Sequence, residues 1–429
     1  MESSTKYDEG VSGERGGGRW TLWKDPETAS SVLRLNVRCL LLGGLWSKSK
    51  GLLYLAYSAF IQLCSVVYIV MCMLSIFSPE GDINDVTLTL MHTFEIVCGI
   101  LKAVIFFLKR DEYYQIVHNL DRLVSSQRQY LTASKDEHLL MLLDAAHKKT
   151  NFLTLVLTGY IYGLVFVWLP FPLILMPSER LMPFVQIPGN YFKEHFSVYI
   201  IAYAIQSFVP LALIMVVDGL DCFFVSSVVH AEALLKVLSE RIASLGHPHY
   251  TDFRLQRFSD MERESRKRNV ENNADMTAEL RSCIIHHQEI IEFLQRLEKA
   301  MNIMVLIQLS FAMFNLCMAL YQQTKIPNFT SALKYVIYVP FPTMKIFFYC
   351  WAAHNVKEQG EEVSWAAYNC AWPDTNQEFR KSLAITMCRA QRPLLLTAGR
   401  IYPINKDAFV SLLKGSYSYY TLLRQFESK

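Results

Sequence analysis

Charge is scarce in this chain. Only 19% of its 429 residues are Asp, Glu, Lys or Arg, while 52% are hydrophobic and the mean hydropathy is positive. The apolar residues fall in long blocks, which excludes an ordinary soluble protein and implies a polytopic membrane protein without separate soluble domains. Cys-x-x-Cys pairs are absent. Of the ten cysteines, Cys64, Cys72, Cys98, Cys222, Cys317 and Cys350 lie inside apolar blocks, and Cys39, Cys283, Cys370 and Cys388 outside them. That pattern supports neither a zinc module nor a disulfide framework. The sequence has no Gly-x-Ser-x-Gly, His-Glu-x-x-His or P-loop, so no enzyme activity, cofactor or metal is expected. The close histidines, His247 with His249 and His286 with His287, read as surface residues of a cytoplasmic loop and helix. The basic run Arg263, Arg266, Lys267 and Arg268 lacks interleaved aromatics, which argues against nucleic acid. A cleavable leader is also missing, so the first span is expected to act as signal anchor.

The apolar blocks divide the chain. Residues 1–50 read as a cytoplasmic tail and an interfacial helix, Ser30–Trp46, in which Arg34 and Arg38 alternate with Leu33, Leu35, Val37, Leu40 and Leu41. Residues 51–224 hold spans one to four, at Leu52–Phe77, Val86–Leu108, Phe152–Met176 and Val198–Phe224, with a polar helical stretch before the third. Residues 225–300 are a cytoplasmic helical extension and loop. Spans five and six, Met301–Tyr321 and Tyr335–Trp351, fill residues 301–351. Membrane-proximal cytoplasmic helices fill 352–400, and residues 401–429 carry the seventh span and the C-terminus. Glu95 and Lys102 lie seven apart on one face of span two, which predicts an internal ion pair or two separate bundle contacts.

Lys and Arg crowd the N-terminus and the segments before spans three, five and seven. They are sparse in the loops after spans one, three and five, which predicts a cytoplasmic N-terminus and an extracellular C-terminus. The one glycosylation sequon, at Asn328, falls in an expected outside loop. This direction argues against a G-protein-coupled receptor, as does the lack of Asn-Pro-x-x-Tyr in the last span.

The last span, Asp407–Phe426, is long enough to cross a bilayer but is a poor lipid-facing helix. Asp407, Ser411, Lys414, Ser418, Thr421 and Gln425 recur by threes and fours on one stripe, with Phe409, Leu412, Leu413, Tyr420 and Leu423 away from it. A polar stripe across a membrane must face protein or water. Several copies packed stripe-inward would enclose a pore; a polar bundle contact or a surface amphipathic helix are the alternatives.

The stretch Pro393–Gln425 carries Leu396-Thr397-Ala398-Gly399, Tyr402-Pro403-Ile404-Asn405, Phe409 and Ser418-Tyr419-Tyr420-Thr421-Leu422-Leu423. Together with the spans, it resembles the insect odorant receptor family, and more a tuning subunit than the shared coreceptor, Orco. Ser418-Tyr419 followed by Gln425-Phe426 is also similar to the signature of the related gustatory receptors. The odorant resemblance implies an all-α membrane protein of seven spans whose cytoplasmic helices form an anchor region. It implies the odorant-binding subunit of a heterotetrameric, non-selective cation channel in sensory-neuron plasma membrane, with Orco as partner. By that resemblance a small, volatile, apolar odorant is held by Met91, His92, Tyr162, Gly163, Phe166, Tyr199, Tyr203, Gln206, Tyr335 and Tyr338. The pore and gate fall to Lys414, Ser418, Thr421, Leu422 and Gln425, with Leu422 as the apolar constriction. A gustatory-type channel, or a transporter or metabotropic receptor of inverted topology, are the competing readings; neither internal repeats nor broken helices favour a transporter.

Overall fold

The computed structural model describes residues 31–46, 51–77, 83–175, 182–185, 195–246, 261–325 and 339–427. The chain is helical nearly throughout. In order it forms α1 (Arg34–Leu42), α2 (Leu52–Ile76), α3 (Ile83–Leu108), α4 (Arg110–Ser134), α5 (Glu137–Trp168), α6 (Phe171–Leu175), α7 (Phe196–Ala243), α8 (Met261–Lys325), α9 (Pro340–Asn369) and α10 (Gln377–Ala390). A small hairpin of β1 (Thr397–Ala398) and β2 (Tyr402–Pro403) then leads into α11 (Lys406–Glu427).

Among the described residues, five helices are long and apolar enough to cross a membrane: α2, α3, α5, α7 and α8. Their outward surfaces support that reading. Leu52, Leu55, Leu63 and Leu74 of α2, Phe152 and Phe166 of α5, and Ile200 and Ile201 of α7 are all exposed, which water would penalise and lipid would not. Three helices greatly exceed a bilayer. At 1.5 Å per residue α7 is roughly 72 Å long, α8 roughly 98 Å and α5 roughly 48 Å, against about 30 Å of hydrocarbon. Each therefore continues out of its apolar block as one rod. The polar stretch before the third span is split, however. Lys135 adopts φ 57°, which ends α4, and Asp136 caps α5 by accepting from Leu139 N at 3.2 Å.

The large core lies in the polar half. Trp46, Phe106, Tyr113, Phe223, Phe224, Phe293, Tyr349 and Phe379 are fully buried there, and α9 packs most extensively on α7. Helix α1 belongs to this core, a correction to the expected interfacial helix. Its apolar side chains Leu33, Val37, Leu40 and Leu41 are covered by protein, and only Arg34, Arg38 and Leu42 are exposed. Buried Asn36 donates to Cys222 O at 2.9 Å and Ser226 Oγ at 2.8 Å, so α1 is keyed into α7. A Cβ on Gly219 would sit 3.0 Å from Leu40 Cδ2, which shows how closely the two helices pass. His286 and His287, expected at the surface, are buried as well. The ten cysteines are all free thiols.

The hairpin sets where α11 begins. Gly399 and Arg400 have φ of +61° and +60°, and Ile401 N bonds Ala398 O at 3.2 Å, the geometry of a type I′ turn. Gly399 N also donates to Asn302 O at 2.9 Å, and a Cβ there would lie 2.6 Å from Leu306 Cδ2. Gly399→Ala therefore combines a left-handed backbone with a clash against α8. Its folded yield and the melting temperature of the solubilised protein should both fall, by about 2 kcal/mol or more in stability; an unchanged melting temperature would contradict this.

Burial also sets a pH response. His230 and His287, both outside the expected spans, are driven down to about 4 by desolvation, helped by His147 and Arg389 respectively. Each stays neutral in the folded chain, while the unfolded chain binds protons near pH 6.5. Stability is thus fully present above about 6.5 and is lost as pH falls toward about 4. Thermal unfolding of solubilised protein should shift to lower temperature between roughly pH 7.5 and pH 5, and the shift should shrink in His230→Asn or His287→Asn.

Candidate functional site

Helix α11 presents two opposite faces. Asn405 caps it by accepting from Ala408 N at 2.7 Å, fixing its first turn on the hairpin. Ala408, Ser416 and Tyr420 are buried against the rest of the chain, which packs on α11 through α8 and α9. Ser416 Oγ donates to Leu412 O at 2.9 Å and Met313 O at 3.3 Å, which ties the buried face to α8. The polar stripe is on the far side. Asp407, Ser411, Lys414, Ser418 and Gln425 are exposed, Thr421 is half-buried, and Leu422 is 48% exposed. Ser418 Oγ donates to Lys414 O at 2.9 Å and Thr421 Oγ1 to Ser418 O at 2.8 Å, so both hydroxyls are already held on the helix backbone. Asp407, Ser411, Lys414 and Ser418 thus lie off the face of α11 that packs on the chain's own bundle.

The proposed ligand residues are scattered by the fold more than the sequence suggests. Gly163 is exposed, with nothing near its Cβ position, and Phe166 is 64% exposed on the outer surface. Tyr162 donates its hydroxyl to Leu211 O at 2.8 Å, and Tyr203 to Leu169 O. Gln206 is fully buried. Its amide oxygen accepts from Phe184 N and Val185 N at 3.2 and 3.1 Å and its nitrogen donates to Val185 O at 2.8 Å, so it anchors the segment 182–185. Met91 is buried, and Tyr199 packs with Met71 and Met182, 5.8 Å from the Tyr203 ring. His92 lies edge-on to Phe184 at 5.2 Å. Phe184 belongs to a small core of Tyr68, Cys72, Ile96, Val165, Val185, Val209 and Leu213. Two polar atoms there, Tyr68 Oη and His92 Nε2, are buried without a hydrogen-bond partner among the described residues. Tyr335, Tyr338 and Asn328 lie outside the described residues.

Sequence reasoning missed a buried charge cluster beneath this region. Lys102 of α3 bonds Asp221 of α7 and Gln308 of α8. Tyr349 of α9 donates to the same carboxylate at 2.6 Å. Lys345 of α9 pairs with Asp218 at 2.8 Å and reaches Asp221 at 3.5 Å. The four charged side chains are at most 5% exposed and their charges balance. Of the two arrangements expected for Glu95 and Lys102, the structure has the separate bundle contacts: Lys102 pairs with Asp221, and Glu95 accepts from Asn315 of α8 at 2.8 Å. Asp218, Asp221 and Lys345 inside apolar blocks were the available signal, since ionisable residues at membrane depth are costly unless paired. A groove of about 360 Å³ occurs elsewhere, in the polar half, lined by Glu361, Ser364, Trp365, Tyr368, Met387 and Gln391.

These features define a mainly helical membrane protein with a buried ionic centre, an aromatic cluster in its apolar half, and a last helix with an exposed polar face. A family model described as 7tm Odorant receptor matches residues 82–417. The chain belongs to the odorant receptor family. It is 35% identical over 149 residues to Odorant receptor Or2 of Anopheles gambiae, a match covering 34% of this chain and 39% of that one. With Odorant receptor 10 of Aedes albopictus it shares 32% over 154 residues, covering 36% and 40%. The chain thus spans about two-fifths of the length of these mosquito relatives. A longer match, 23% over 343 residues, links it to Odorant receptor 22c of Drosophila melanogaster, covering 78% of this chain and 80% of that protein. Solved structures of the olfactory receptor OR5 from Machilis hrabei, alone and in complex with eugenol, share the fold. Both have a TM-score of 0.69 over 92% of this chain and 97% of theirs, at 15% and 14% identity.

The cluster has an unequal mutational signature. Lys345→Met leaves Asp218 buried without its cation and should cost about 3 kcal/mol or more, seen as loss of folded, surface-expressed protein. Adding Asp218→Asn should recover much of that loss. A double variant no better than the single one would show that Lys345 acts through packing instead of charge.

Proposed function

We propose that this chain is the odorant-binding subunit of an odorant-gated, non-selective cation channel, assembled with the coreceptor Orco as a heterotetramer in the plasma membrane of olfactory sensory neurons. The observation that carries the proposal is the polar stripe of α11, opposite that helix's packed face, in a chain of this family. A lone helix with such a stripe cannot be solvated by lipid. Several subunits placed stripe-inward enclose water, and the exposed Leu422 then narrows the path as an apolar ring that blocks ions by dewetting. Seven crossings with a cytoplasmic N-terminus fit the Lys and Arg placement. The α11 stripe makes the last crossing too polar to stand alone in lipid, and neighbouring subunits supply the missing cover, whereas Lys345 in the crossing before it is already covered within the chain by Asp218 and Asp221. In the polar half, Trp365 and Tyr368 at the groove are 64% and 57% exposed, which suits an anchor surface between subunits.

The ligand site is placed around His92, Phe184 and Tyr68, above the charge cluster. Apolar walls suit a small volatile molecule, and the unpartnered Tyr68 hydroxyl and His92 nitrogen suit one polar group on it. Tyr335 and Tyr338, from the family resemblance, complete this proposal.

Expression of the chain with the coreceptor should give odorant-evoked cation current against a panel of short alcohols, esters, ketones and phenols, and the chain alone little or none. Leu422→Ser should raise current without odorant by favouring the wet state. His92→Ala should shift odorant sensitivity and leave ion permeability as it was. Robust current from the chain in cells without a partner would contradict heteromeric assembly. An unchanged basal current in Leu422→Ser, with surface expression confirmed, would place the gate elsewhere.

A further inference from the structure

Resting on the pore reading of α11, we infer that Lys414 is a charge filter on the ion path, hindering cations and divalent cations most. The stripe carries one cation. Lys414 is exposed on it, one turn from Ser418, and has no ion-pair partner among the described residues. The other basic residues of the helix are differently placed. Lys406 is 3.6 Å from Glu358, which offsets its charge. Arg424 is exposed but adjacent to Gln425, so it points about 100° away from the stripe. Asp407, seven residues before Lys414 on the same face, lies about 10 Å along the axis, at the helix start. An ion moving along the stripe therefore meets a carboxylate and an ammonium in turn.

The sign of the effect follows from Coulomb's law. A unit charge about 10 Å from the ion in a water-like medium depletes a monovalent cation about two-fold and a divalent cation about four-fold. Salt screening weakens both, and several subunits strengthen both. Removing the charge should then raise divalent relative to monovalent permeability about two-fold. The competing placement has Lys414 facing lipid with its ammonium extended to the headgroups; permeability would then be indifferent to it.

The test uses the full chain expressed with the coreceptor and opened by whichever panel odorant activates it. The reversal potential is read with calcium and then sodium as the main external cation. Lys414→Gln should raise relative calcium permeability about two-fold, Lys414→Glu further still, and Lys414→Arg should match the wild type. In Lys414→Cys, a cationic thiol reagent should restore the wild-type ratio and an anionic one should raise it. The unsubstituted chain is treated in parallel because Cys388 is exposed. Reaction at Ser418→Cys, with no reaction and no permeability change at Lys414→Cys, would overturn the role of Lys414 and leave the pore reading standing. If neither position reacts from water, the pore reading itself falls, and the charge filter with it.

Discussion

Four helices meet at one balanced set of charges, and the apolar half of the bundle depends on it. Lys102, Asp218, Asp221 and Lys345 are each too costly to bury alone. Every one of them finds a partner on another helix, and Tyr349 and Gln308 add further hydrogen bonds. Apolar contacts alone fix helices loosely in a bilayer, because lipid tails compete with side chains on equal terms. Ion pairs with fixed partners do not slide by a turn without leaving a bare charge. They give α3, α7, α8 and α9 a single register where the hydrophobic effect provides none.

The molecule has two kinds of interior as a result. The polar half has a large aromatic and aliphatic core, closed by α1, α4 and α10. Among the described residues the apolar half has two small clusters, held by a few hydrogen bonds such as Trp168 Nε1 to Pro183 O at 2.8 Å and the three that Gln206 makes to Phe184 and Val185. Weakly packed regions are where a small molecule most cheaply finds room, whereas the dense half is suited to permanent association. The two halves are thus built of different material within one chain.

Much of the architecture was legible in the sequence. Long apolar blocks located five of the seven expected spans, on α2, α3, α5, α7 and α8, and the threefold and fourfold recurrence of Asp407, Ser411, Lys414 and Ser418 identified the outward stripe of α11, since a helix has one period and that stripe obeys it. Side-chain direction in the lipid-facing helices was not legible. Phe166 and Tyr162 are both aromatic, yet one faces outward and the other bonds Leu211 O, because where lipid and protein are equally apolar the sequence carries little moment. The partner of Lys102 was also hidden. Glu95 is nearer in sequence, but Asp221 lies at the crossing point of another helix, and crossing points depend on packing. Helix α1 misled for a related reason: alternating arginines and leucines suit a headgroup layer and a protein groove equally well.

Helix α7 passes from one half of the molecule to the other without interruption, and Asp218 divides it almost evenly. Twenty-two residues separate Phe196 from Asp218 and 25 separate Asp218 from Ala243, or roughly 33 and 37 Å. The two arms differ in stiffness, because Pro210 lies in the first and gives no N–H to the helix ladder. The arm that carries Tyr199 can bend at Pro210, while the arm beyond Asp218, which holds no proline, keeps its line.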